Sequence, residues 1–339
     1  MKITDKDNFT FIKGIAIICM IIHHAFGFPE WYVDGINYPS ILPYVEYIRN
    51  AARLCLPIFV FLTGGGYCLH RDKSLKYSGK KILGFYINYW IVFIVMLILA
   101  LICGSYLSAK SVVLEALGIE NVLMKFCWYV PFYALLMLVL PIYSRILRGT
   151  WYIDIVLTGV CYFLIRIADL ILAGVSSMNL LNSISIYFPV LSIGFLLVKY
   201  DILDKMKSTV QKKCTLRGEQ LAIGLFLVIL AFAVNSIKPF VKGISTGTIL
   251  VPILMLGFSL ICRRKKDLLQ KTVIFLGKYS MNIWFLHCAF FSVYTNLILQ
   301  PIAYFPRIPV LIIVWILLMC LVVAVPITKV QKRVLKIIG

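Results

Sequence analysis

The chain has 339 residues, 61% of them hydrophobic and 14% charged, with a mean hydropathy of +0.94. So much apolar surface excludes a water-soluble globular domain and indicates a multi-span membrane protein. The net charge of +20 would suggest a nucleic-acid partner in a soluble protein, but here the basic residues lie between apolar runs and no nucleic-acid-binding motif accompanies them.

Ten apolar segments are long enough to span a bilayer: 9–28, 50–69, 82–105, 126–146, 151–173, 180–198, 219–237, 245–262, 272–296 and 308–328. The second and eighth are the weakest, being short or glycine-containing. The expected architecture is all-α, a polytopic bundle of about ten transmembrane helices forming one membrane-embedded domain over residues 1–339. The basic N-terminus followed by an apolar run resembles a signal peptide, but no small-residue cleavage site follows, so this segment is expected to stay as the first helix.

The loops alternate in charge. Those on one side carry 24 Lys and Arg, whereas the other side carries six: Arg49, Lys110, Lys125, Lys238, Lys242 and Arg307. Cytoplasmic loops hold the excess of cations, so both termini are expected in the cytoplasm of a multi-pass plasma-membrane protein. The ten cysteines fall mostly inside apolar spans, with no CxxC or Cys/His zinc spacing. They read as small hydrophobes, and no metal site is expected.

The first segment carries the ionisable groups that matter most. Lys13 lies near its start and His23 and His24 near its end. Ionisable side chains within a span are costly and usually face a protein interior or a wet cavity. At about 100° per residue, Lys13 and His24 return to within about 20° of one face, roughly 16 Å apart along the axis. Ile17 and Met20 fill the stripe between them, and His23 points about 80° away. His24 could take a proton from a hydroxyl, and Lys13 could bind an anion or a carbonyl-bearing donor from the cytoplasmic side. The plainer alternative is a packing histidine and a lysine reaching the headgroups.

Further candidates lie along the chain. The first outer loop, PEWYVDGINYPS, is acidic and aromatic and holds Glu30. Arg53 enters the second span with no acid inside it, leaving Glu30 and Glu46 as candidate partners across the loop. TGGGY, Thr63 to Tyr67, allows either close backbone approach or a break in the helix. The basic loop HRDKSLKYSGKK at 70–81 arises from positive-inside bias, or binds the phosphates of a cytoplasmic donor. Trp128 and Tyr129 suit an aromatic belt, or a stacking surface for a sugar. Arg166 and Asp169 read as a local pair, and His287 as a packing histidine.

These residues carry a resemblance. KGIAIICMIIHH, with ten residues between Lys13 and His24, resembles the basic-x10-histidine mark of the acyltransferase-3 family of integral membrane O-acyltransferases, and is similar to its fucose 4-O-acetylase-like group. LCLPIFVFLTGGGY, WYVPFYAL at 128–135 and GKYSMNIWFLH at 277–287 resemble further family segments in the same order. The resemblance implies transfer of an acyl group, usually acetyl, from cytoplasmic acyl-CoA to a hydroxyl of an extracytoplasmic carbohydrate. It implies His24 as the catalytic histidine, Lys13 as its basic partner, and Arg71, Lys73 and Lys76 as contacts for the donor. Arg53, Glu30, Trp128 and Tyr129 are then expected on the acceptor side, and the bilayer, acyl-CoA and the carbohydrate are the expected partners. A transporter or flippase without covalent chemistry is the competing class, and it would use the same intramembrane charges for coupling.

Overall fold

A computed structural model describes residues 2–34, 44–172, 180–241, 243–262 and 266–338. Four of the loop cations, Lys242, Arg263, Arg264 and Lys265, lie outside the described residues. So do positions 35–43 of the first outer loop and residue 173 at the end of the fifth segment.

Fourteen α-helices account for nearly all regular structure among the described residues: α1 (Lys6–Phe26), α2 (Val45–Ala52), α3 (Cys55–Leu69), α4 (Leu75–Ile102), α5 (Ala109–Ala116), α6 (Tyr129–Ile146), α7 (Trp151–Ile171), α8 (Leu180–Lys199), α9 (Ile202–Lys213), α10 (Arg217–Ile237), α11 (Gly247–Ile261), α12 (Leu268–His287), α13 (Asn296–Tyr304) and α14 (Pro309–Ile338). The strands among the described residues are an antiparallel pair, β1 (Phe240–Val241) and β2 (Ile244–Ser245), in which Phe240 faces Ser245. The chain is therefore an all-α polytopic membrane protein. Each of the ten apolar segments falls on a helix. Among the described residues, seven stretches are long and apolar enough to cross a membrane, α2 and α3 counting as one, and α11 is a shorter apolar helix. The two remaining segments are more polar: α7 carries Asp154, Arg166 and Asp169, and α12 carries Lys271 and Lys278.

The second segment departs from a single rod. It breaks at Arg53–Leu54, between α2 and α3. Pro57 explains the position: it lacks an N–H for the Arg53 carbonyl, and its ring would crowd that carbonyl in a continuous helix.

The chain forms two compact units, Met1–Met20, Glu46–Ser74 and Val139–Lys278 in the first, and Ile21–Val45, Leu75–Leu138 and Tyr279–Gly339 in the second. In the first, α3 packs on α8 at backbone contact. A Cβ added to Gly64 would sit 2.1 Å from the Leu191 carbonyl oxygen, and one added to Gly194 2.3 Å from that of Phe61. Small residues permit this approach in membrane helices. Of the two readings of TGGGY, close approach is the one realised, since α3 continues through it to Leu69. Gly14 and Gly277 do the same for α1 and α12, lying against Val273 and Thr10. Fully buried Asp154 ties α7 to α8 by accepting from Lys199 Nζ at 2.6 Å and the Tyr200 hydroxyl at 2.5 Å.

In the second unit, α4, α12 and α14 meet through a buried amide cluster. Asn282 and Gln331 bond reciprocally at 2.7 and 2.8 Å, and Gln331 also donates to the Asn88 carbonyl. Helix α5 hangs from α4 by three aromatic donors: Tyr89 to the Glu115 carbonyl at 2.6 Å, Trp90 to Ala116 at 2.8 Å and Tyr86 to Leu117 at 3.3 Å. The C-terminal ends of α1 and α12 also lie in this unit, and with them His24 and His287.

Candidate active site

The last turn of α1 carries His23 and His24. The helix stops at Phe26, and its Ala25 carbonyl accepts from the hydroxyls of Tyr32 and Tyr304. Those donors satisfy a carbonyl that the helix leaves without an intrahelical partner. A 3-10 turn, Pro29–Trp31, then folds the chain back. Gln300 of α13 holds it from both sides, donating to the Trp31 carbonyl at 3.0 Å and accepting from Val33 N–H at 2.6 Å. Trp31 consequently stacks on Phe28, ring centroids 3.7 Å apart.

His24 is half-buried among rings. Phe126 lies flat on it, at 3.7 Å between centroids and 9° between planes. His23 stands 5.0 Å away, edge-on to Phe28. The partner that defines its chemistry is fully buried His287, at the end of α12, whose Nε2 is 2.8 Å from His24 Nδ1. His287 Nδ1 in turn meets the Trp284 carbonyl. A carbonyl only accepts, so in the neutral pair His287 carries its hydrogen on Nδ1 and its Nε2 is an acceptor. His24 must then donate from Nδ1, which leaves the lone pair on His24 Nε2. The contacts therefore fix the tautomer of His24 from behind and leave it the lone pair that general-base chemistry requires, with His287 standing where a carboxylate stands in a hydrolase triad.

Lys125 adds a charge to this site. Its Nζ sits 4.0 Å over the Trp31 ring, within reach of a cation–π interaction. Burial pulls its pKa below the ordinary lysine value, and the Glu30 carboxylate opposes that shift. Among the described residues there is no group of three potential metal ligands.

The sequence-derived candidates divide between the two units. His24, Glu30, Lys76, Trp128 and Tyr129 belong to the second, and Lys13, Arg53, Arg71 and Lys73 to the first. Around His24 itself, Glu30 is exposed on the 3-10 turn, close enough to act on Lys125. The two outer aromatics pack within the second unit. Tyr129 is buried edge-on against Trp284 at 4.6 Å, and Trp128 is half-buried beside Phe132. The aromatic wall beside His24 is instead Phe28, Trp31 and Phe126. Lys13 is exposed on α1. Arg53 is exposed at the α2–α3 break, with its guanidinium 4.5 Å from the Phe240 ring centroid and hydrogen-bonded to Tyr187, so aromatic rather than acidic partners hold it.

The loop after α3 is a built turn. Ser74 N–H donates to Asp72 at 2.8 Å and the Tyr67 hydroxyl to the Lys73 carbonyl at 2.8 Å. It presents exposed Arg71, while Lys73 lies half-buried over Phe195 and Lys76 is exposed at the start of α4. Arg166 makes the expected pair with Asp169, at 3.4 Å, and also donates to Ser185 of α8 at 2.6 Å.

Three members of the site do not stand out in the sequence. His287 reads there as a packing residue and Lys125 as one loop cation among several, and nothing marks Phe126. A histidine closing an apolar span is the available signal for the first. A separate apolar cavity of about 660 Å³ in the first unit is bordered by Thr158, Tyr162, Ser192 and Leu250, and among the described residues its lining holds no carboxylate, imidazole, lysine or arginine.

A family model for an acyltransferase domain, that of the acyltransferase-3 family, matches residues 6–329. The chain belongs to this acyltransferase family. The match runs through α1, α12 and most of α14, so it includes both histidines, and it makes the protein a multi-pass membrane acyltransferase. No curated protein and no solved structure shows comparable similarity.

Proposed function

We propose that this acyltransferase is an O-acetyltransferase of the plasma membrane, moving an acyl group from cytoplasmic acyl-CoA to a hydroxyl of an extracytoplasmic carbohydrate such as a cell-envelope glycan. The observation that carries the reading is the lone pair left on His24 Nε2 by the His24–His287–Trp284 chain. His24 takes the proton of the acceptor hydroxyl as its oxygen bonds to the thioester carbonyl carbon. The carbonyl electrons move onto oxygen, where the Lys125 ammonium is the charge best placed to stabilise them. Collapse breaks the C–S bond, and the departing thiolate takes the proton back from His24.

The remaining assignments rest on charge and side. Arg71, Lys73 and Lys76 meet the phosphates of the donor. Lys13 receives its acyl end from the cytoplasmic side. Arg53 and Glu30 orient the acceptor, with Phe28, Trp31 and Phe126 in place of the aromatic role expected of Trp128 and Tyr129. The two substrates approach from opposite compartments, and α1 carries an ionisable group toward each.

Purified His24→Ala protein, inserted normally, is expected to transfer radiolabelled acetyl to glycan at least about 10² times more slowly than wild type, the usual contribution of a general base. Mass spectrometry of envelope glycans from cells lacking the gene should show the corresponding ester missing. A wild-type rate in the variant sinks this mechanism. Movement of an unmodified solute without ester formation would favour the transporter class.

A further inference from the structure

Phe126 and Lys125 reach His24 and Trp31 from a stretch with no regular structure of its own, between α5 and α6. Gly118, at φ +76°, turns the chain out of α5, a conformation few side chains tolerate. One side chain gathers the backbone beyond this turn. Glu115, 1% exposed in the last turn of α5, accepts from three successive backbone N–H groups. Val122 and Leu123 donate to its Oε1, Leu123 at 2.7 Å, and Met124 donates to Oε2 at 3.3 Å. These three residues immediately precede Lys125 and Phe126. Beyond them, Cys127 N–H donates to the Met124 carbonyl at 2.8 Å and Val130 N–H to Cys127 at 2.8 Å, leading into α6.

A carboxylate buried this deeply is costly unless hydrogen bonds compensate it. Three N–H groups converging on one carboxylate form such a compensation, and they also fix the backbone that offers them. A leucine would fill the same volume without that cost, so a purely space-filling role does not account for the residue.

We propose that Glu115 is a positioning residue for the acyl transfer: by clamping residues 122–124 it lays Phe126 on the face of His24 and holds Lys125 over Trp31. The proposal rests on the reading of His24 as the base. Glu115 touches neither substrate nor His24, and it acts through the segment it holds.

The test compares Glu115→Gln, Phe126→Ala and the double variant, each reconstituted in liposomes. Glutamine keeps one carbonyl oxygen but turns an amide N–H toward backbone donors, so the clamp is lost with little change in shape. Expected for each single variant is a kcat lower by about tenfold to 100-fold, the rate equivalent of one or two lost buried hydrogen bonds, with the donor KM unchanged. The double variant should fall no further than the weaker single, because both changes release the same ring. A second readout needs no turnover: carbethoxylation of His24 by diethylpyrocarbonate, followed by peptide mass spectrometry, should be several-fold faster in both variants because the ring loses its cover. An unchanged kcat and an unchanged His24 modification rate in folded Glu115→Gln overturn the proposal. So does full additivity in the double variant. If Glu115→Gln does not accumulate, Glu115→Asp, one methylene short, is read the same way. If His24→Ala proves fully active, the base assignment fails, while the modification rate still reports on the clamp.

Discussion

His24 gains its proposed function from atoms 263 positions away in sequence. Its partner His287 has both ring nitrogens assigned by contacts, one to the Trp284 carbonyl and one to His24. Replacing His287 by Phe keeps a buried ring but leaves His24 Nδ1–H without an acceptor. A buried unpaired donor costs about 1–3 kcal/mol, so kcat should fall by about tenfold to 100-fold. His287→Gln can accept through its amide oxygen and should recover part of that loss. Equal rates in the two variants would show that the ring, and not the hydrogen bond, matters. Lys125 offers a test by titration. Burial lowers its pKa, so below the ordinary lysine value of 10.5 the folded protein binds fewer protons at this group than the unfolded chain does. Stability contributed by this residue therefore rises with pH through that window. Melting temperatures of wild type relative to Lys125→Met should climb between neutral pH and about pH 10. A difference that is flat across that range would mean the ammonium is not desolvated.

Helices are legible where hydrophobicity is continuous, and all ten apolar segments recur as helices. What the sequence conceals depends on contacts rather than on local pattern. Arg53 lies in an apolar run that reads as one rod, and the break there comes from Pro57 four residues on. Residues 119–128 have no periodicity to read, because their shape is set by Glu115 and Gly118. His287 is indistinguishable from a packing histidine until α1 is set beside α12. Glycines report such crossings only when their neighbours are known, as α3 illustrates. A methyl group on Gly64 would lie 2.1 Å from a backbone oxygen of α8, whereas one on Gly66 meets nothing within 4 Å. Gly64→Ala must push α3 off α8 and should destabilise the protein by about 1–3 kcal/mol or more, the range for overpacking. Gly66→Ala should be neutral or slightly stabilising, since alanine is the better helix former. Thermal unfolding in detergent, monitored with a thiol-reactive dye, compares the two. Similar melting temperatures would mean that the α3–α8 contact is not close-packed.

At the scale of the whole molecule, the proposed reaction depends on which way the bundle faces. The 24 to 6 division of loop cations assigns the segment between α4 and α6 to the outside, and with it Lys125 and Phe126. The same division assigns α9 and the turn at Arg71 to the inside. The proposed donor, acyl-CoA, is a charged cytoplasmic metabolite that does not cross a bilayer unaided, so in the proposed reaction its phosphates meet the basic face and the acyl group travels toward His24. Reversing the bundle would put His24 and Lys125 in the cytoplasm and leave Arg71 outside, where acyl-CoA is absent. Two exposed positions decide this. Tyr106, 88% exposed after α4, and Ser208 on α9 can each be made the single cysteine of an otherwise cysteine-free chain. In intact cells a membrane-impermeant maleimide should label Tyr106→Cys at once and Ser208→Cys only after permeabilisation. The opposite pattern would remove the two-sided route altogether, because the imidazole would then stand on the donor's side and an extracytoplasmic hydroxyl could not reach it.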